Sequence, residues 1–120
     1  MRKLFVILLI FCFSCKQNES NLILEYEKMA KNDIEKDSVK LFSHGLPLPP
    51  RDKKEQYLIE KQDSIKRIFG LYKSSTCIVS DELTQAEKKY DEITQEYLEK
   101  RNGKNWEQKM QKQIDSIINQ

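Results

Sequence analysis

Histidine and tryptophan occur once each in this chain, and glycine, proline and cysteine three times each. Each scarcity removes a class of chemistry. The single histidine, His44, cannot supply the two-histidine spacing of a zinc site, and any imidazole general base would have to be that residue. The glycines stand far apart, at 45, 70 and 103, so no glycine-rich phosphate loop is present. Charge of one sign is missing too: 21 Lys and Arg face 19 Asp and Glu, and Arg2 and Lys3 at the start account for the excess. Without a net basic face there is no argument for nucleic acid. What remains is rich in Lys, Glu, Gln, Asn and Ile and poor in breakers, which reads as a mainly helical chain.

The first residues have a different character. Arg2 and Lys3 lead into an unbroken apolar run from Leu4 to Phe13, and Ser14 then precedes Cys15. The run is shorter than the about 20 apolar residues that a spanning helix needs, and the layout is that of an export signal. A small residue directly before a cysteine resembles the bacterial lipoprotein signal. That resemblance implies acylation of the Cys15 thiol and cleavage before it, although Cys12 and Phe13 stand where the pattern prefers leucine and a small residue. Plain secretion and a retained anchor are the alternatives. Lys16 after Cys15, in place of aspartate, implies the outer membrane by the same pattern. Glu19 alone falls short of the acidic cluster that sends some lipoproteins to the cell surface. Several acyl chains, each buried methylene contributing about 0.8 kcal/mol, would hold the protein stably.

This gives an expected organisation of signal peptide (1–14), lipidated cysteine and tether (15–21), and one small helical domain (22–120) holding a proline-rich loop at 43–51. Cleavage before Cys15 leaves 19 basic side chains against 19 acidic ones. Cys12 then departs with the signal and Cys15 carries lipid. Cys77 is left as the free thiol, with no disulfide partner in its own chain and no cysteine pair for a metal.

Along the domain, Leu22, Tyr26, Met29, Ala30 and Ile34 recur at helical spacing and predict a helix over 21–38. Val39 to Phe42 either extends it or forms a short extended piece. Three prolines and a glycine in Ser43 to Pro50 break the helix. Asp52 and Glu55 resemble a capping box and open a second helix over 52–69, closed by Gly70. Leu71 to Val79 has no helical period. It reads as a short strand or a buried extended segment, with Val39 to Phe42 as the partner if it is a strand. Leu83, Ala86, Tyr90, Ile93 and Tyr97 then mark a long helix capped by Ser80 or Asp81 and ended by Asn102-Gly103. Trp106, Met110, Ile114, Ile117 and Ile118 mark a last one, with Asn105 as its cap. The very short connection predicts an antiparallel C-terminal hairpin with the two stripes facing each other.

The sites follow from these placements. Cys77, beside Ile78 and Val79, reads as a small buried side chain, with pairing to another chain or thiol chemistry as alternatives. His44 reads as a solvated turn residue. The tyrosines and Trp106 read mostly as core, with one or two exposed rings. Leu46, Pro47, Pro49 and Pro50, with Tyr57 and Trp106, form the expected partner-binding surface, because an extended proline-rich segment loses little entropy on docking. No catalytic, cofactor or metal site is expected.

The block Gly70, Leu71, Tyr72, Cys77, Tyr90, Tyr97, Leu98 and Arg101 through Trp106 resembles small lipoproteins of Bacteroidota-type bacteria. The resemblance covers the C-terminal half and implies an envelope location with no particular activity. The reading is therefore a mainly α lipoprotein, anchored through Cys15 in the outer membrane, that binds an envelope protein as an accessory subunit and is not an enzyme. An immunity-type inhibitor of an envelope-acting toxin is the alternative. A small hydrolase or thiol oxidoreductase using His44 and Cys77 stands behind both.

Overall fold

The computed structural model describes residues 21–120; the signal segment, Cys15 and most of the expected tether lie outside them. Among the described residues, helix and strand alternate twice and two further helices follow. Helix α1 (Asn21–Glu35) turns its Tyr26, Met29, Ala30 and Asp33 inward. It ends three residues earlier than its apolar spacing suggests. Asp37 takes a left-handed backbone (φ 52°) and the Ser38 amide bonds back to the Asp33 carbonyl at 2.9 Å. That reversal releases Val39 into strand β1 (Val39–His44). Ser43 and His44 thus belong to the strand, and the proline-rich loop begins at Gly45.

Helix α2 (Lys53–Ile68) starts where Asp52 accepts the Glu55 amide at 2.7 Å. The Glu55 carboxylate reaches back to the Arg51 amide at 2.8 Å, one residue before the position that completes a capping box. Gly70 (φ 84°) turns the chain into strand β2 (Leu71–Thr76). A side chain there would also put its Cβ 3.0 Å from Arg101 Nε, so both backbone and space call for glycine. The strands pair in parallel, Val39 opposite Leu71 through His44 opposite Thr76. The expected pairing partner is therefore the right one, and the extended segment is one half of a two-stranded sheet. A parallel pair needs a crossover, and α2 supplies it.

Ser80 caps helix α3 (Asp81–Asn102) by accepting the Leu83 amide, and Gly103 ends it with φ 89°. Helix α4 (Trp106–Ile118) follows at once. Asn105 makes no side-chain cap; it adopts φ 62°, and that left-handed turn redirects the chain. The tight connection is as expected, but the two stripes do not face each other along their length. The Gln95 amide meets the Glu107 carboxylate at 3.2 Å beside the turn. Beyond it, α4 packs antiparallel to α2, with Trp106 against Phe69 (ring centroids 6.5 Å apart) and Ile117 near Leu58. The stripe of α3 is taken by α1, which runs beside it in the same direction: Asp33 meets Tyr90, and Asp37 meets Tyr97 and Arg101. A short loop alone could not reveal that each helix had a better partner on its own face of the sheet.

Strand alternation sorts the layers. Lys40, Phe42 and His44 point to α1 and α3, where Lys40 Nζ meets Asp33 (2.6 Å), Phe42 packs on Tyr90 and His44 meets Glu87 (2.8 Å). Lys73 points the other way, to Asp63 of α2 at 2.8 Å. Val39, Leu71, Ile65, Phe69, Tyr90, Leu98, Trp106 and Ile114 form the core between them.

Tyr90 is fully buried and ties three elements together. Its hydroxyl donates to Asp33 of α1 at 2.7 Å and accepts the Lys40 amide of β1 at 2.8 Å. Burial raises its phenol above the ordinary value, and the Asp33 carboxylate adds to that. At the far end, Arg101 donates to both carboxylate oxygens of Asp37 (2.6 and 2.9 Å) and to the Ile68 carbonyl (2.8 Å). Asn102 reaches the Phe69 carbonyl at 2.9 Å.

Tyr90→Phe keeps the ring but strips the Lys40 amide and Asp33 of a partner, so unfolding in urea should show a loss of about 1–3 kcal/mol. Arg101, with Tyr97 behind it, holds the Asp37 carboxyl below its ordinary value. The stabilisation it brings is therefore present above the ordinary carboxylate range and lost as pH falls through the lowered value. Asp37→Asn should be less stable than the parent at pH 7, with the gap closing below about pH 4 in the same titration.

Candidate functional site

Two surfaces stand out, at opposite ends of the strands. The first is a groove of about 330 Å³ beside β1. Val39, Leu41 and Leu71 form its floor. Thr94, Gln95 and Leu98 of α3 make one wall, and Trp106, Met110 and Gln111 of α4 the other. The groove exists because α3 and α4 part beyond their turn, each held by a different helix. Its floor is apolar and its rim carries amides and the carboxylates of Asp91 and Glu107. Size and lining suit one or two apolar side chains of a bound segment whose backbone meets the rim amides.

The second surface lies where both strands end. Gly45 bonds the Thr76 carbonyl at 2.9 Å, and from that point the two connections leave side by side. Leu46 and Leu48 are 79% and 87% exposed on one, and Ile78 and Val79 are 67% and 73% exposed on the other. Pro47, Pro49 and Pro50 lie exposed between and after the leucines, and Tyr57 is exposed one turn into α2. These members of the expected binding surface are thus together at one end. Trp106 is not among them. It is buried against Phe69 at the other end, with its edge in the groove wall, because α4 runs antiparallel to α2 and places its first residue at the last turn of α2.

Cys77 corrects the sequence reading outright, and His44, exposed as expected, corrects it in belonging to a strand and not a turn. Cys77 is exposed, since β2 stops at Thr76 and, among the described residues, no element covers the bend that follows. His44 closes β1 and its Nε2 lies 2.8 Å from Glu87 Oε2. It is opposite Thr76 in the register, the residue before Cys77. Among the described residues, however, no hydrogen bond joins Cys77 to His44, and no cluster of His, Cys, Asp and Glu has the makings of a metal site. Glu87 Oε1 is buried without a partner. It was not foreseen from sequence, because the histidine that Glu87 meets stands 43 positions away.

No described helix is long and apolar enough to cross a membrane. Compared with protein-family models, with curated proteins and with solved structures, the chain matches none.

An exposed thiol makes a direct prediction. N-ethylmaleimide should modify Cys77 in the folded protein within about threefold of its rate in denaturant, read by peptide mass. Protection until denaturant is added would place the bend beneath another part of the chain.

Proposed function

We propose that this protein is a lipid-anchored envelope lipoprotein that holds a segment of a protein partner in the groove between α3 and α4. The groove is the observation that carries the binding part of the reading. It joins an apolar floor, of which Leu41 is the exposed member, to rim groups able to hydrogen-bond a peptide backbone: Gln95, Gln111 and Glu107. A side chain entering it would cover the floor and leave polar groups paired at the margin, as the centre and rim of protein interfaces are arranged. The anchoring part rests on the sequence, on Ser14-Cys15 after a short apolar run. The balance of basic and acidic side chains after cleavage favours an apolar and hydrogen-bonded partner over a strongly charged one.

Two measurements test the two parts separately. The intact mass of the membrane-extracted protein should correspond to a chain starting at Cys15 with added diacylglyceryl, and Cys15→Ala should lose that mass. An unmodified chain, or one cut elsewhere, would remove the anchor. A photo-crosslinking residue at Gln95 should join one discrete envelope protein in cells, and Leu41→Glu should reduce that product by about tenfold while the far-ultraviolet circular dichroism stays unchanged. A crosslink that survives Leu41→Glu would take the groove out of the interface.

A further inference from the structure

We infer that the end of the molecule carrying the two apolar connections lies on the lipid surface, with Leu46, Leu48, Ile78 and Val79 dipping into the bilayer interface and the groove held away from it. The inference rests on the reading of Cys15 as the lipid attachment point. Everything else in it comes from the direction of the elements.

Because α1 runs opposite to β1, its first residues lie where β1 finishes: Tyr26 packs on Phe42, whereas Asp33, farther along, meets Lys40 at the opposite side. The described chain therefore begins at the end where both strands stop. Asn21 is six positions from Cys15. Even fully extended, that span reaches about 20 Å at roughly 3.3–3.6 Å per residue, less than the length of a small domain. An acylated Cys15 would keep this end near the bilayer and the opposite end away from it.

Most of the strongly exposed aliphatic surface is distributed to match, Ile68 (64% exposed) at the far end being the exception. Leu24 on the first turn of α1 (53% exposed), Leu46, Leu48, Ile78 and Val79 all belong to the near end. These side chains come from three separate segments, so no single packing defect explains their exposure together. The prolines keep Leu46 to Pro50 extended without internal helix hydrogen bonds, and the protruding leucines enter as side chains with little backbone left to order. Charges around them are mixed, Arg51, Lys53 and Lys54 against Asp81 and Glu82. Shallow apolar insertion, and not attraction to anionic headgroups, is thus the term that sets the orientation. The groove, floored by the first residues of each strand and closed by the α3–α4 turn, then lies toward the end held off the lipid.

The protein carries its own reporter. Once Cys15 is acylated and Cys12 removed, Cys77 is the free thiol, and it adjoins Ile78. The full-length lipoprotein, labelled at Cys77 with bimane, should be placed in phosphatidylethanolamine–phosphatidylglycerol vesicles containing nitroxide-labelled lipid. Quenching should reduce its emission at least about threefold, whereas a label at Gln111→Cys in a Cys77→Ser background should be little affected. Replacing Leu46, Leu48, Ile78 and Val79 together by serine should abolish quenching at Cys77. These residues are exposed, and unchanged circular dichroism would confirm that the fold survives. Emission at Cys77 that stays unquenched, in a chain whose mass shows the lipid on Cys15, would overturn the inference alone and leave this end free for a protein. Equal quenching at both labels would overturn it as well. A chain without lipid on Cys15 would overturn the inference and the anchor together.

Discussion

The fold depends on one phenol. Tyr90 sits where α1, β1 and α3 meet; it donates to the buried Asp33 carboxylate and is the partner of the outward amide of Lys40. A two-stranded sheet has two edges and little stability of its own. The hydroxyl closes one of those edges at its start, and the ring fills the space between Tyr26 and Phe42. Lys40 completes the arrangement from the side by pairing with the same Asp33 oxygen that Tyr90 uses. With α1 and α3 fixed to one face of the sheet, α2 and α4 are left to cover the other. The groove follows from that division.

The same division gives the molecule two unlike ends. At the starts of the strands, turns are short and cross-tied: Arg101 bridges Asp37 to the Ile68 carbonyl, Asn102 holds the Phe69 carbonyl, and Gly70 admits the guanidinium. At the other end the connections are longer and their apolar side chains face outward. Protein contacts at the tied end and lipid contacts at the other would make the chain a spacer with a fixed orientation, its strands setting the distance between the two.

Much of the local structure was legible in the sequence, and for local reasons. Helix starts at Asp52 and Ser80 and the stop at Gly103 depend on neighbours within a turn, and they stand where the spacing put them. The strand pair was legible as a match of two β-branched or apolar runs; its parallel direction follows from the helix between them. What could not be read was partnership. The stripe of α4 fits α3 and α2 equally well on paper, and the choice of α2 is made by the sheet, which occupies the space between α3 and the body of α4. Trp106 went with it into the core. Cys77, Ile78 and Val79 read as buried because apolar neighbours usually are, yet no element among the described residues covers them. The His44–Glu87 pair, 43 positions apart, needed the register of β1 against α3 to become visible.

The sequence separation of the central contacts also bears on when the protein can fold. Tyr90 lies 57 positions after Asp33 and 50 after Lys40, and Arg101 lies 64 after Asp37. A chain that appears N-terminus first, from a ribosome or a translocation channel, presents α1 and β1 long before the residues that lock them. Until α3 emerges, Asp33 and the Lys40 amide have water as their partner and the sheet has an open edge. Loop closure over such distances is paid for before any contact rewards it, so early fragments gain little by collapsing. The order of elements thus keeps the first half of the chain threadable until the second half has followed it.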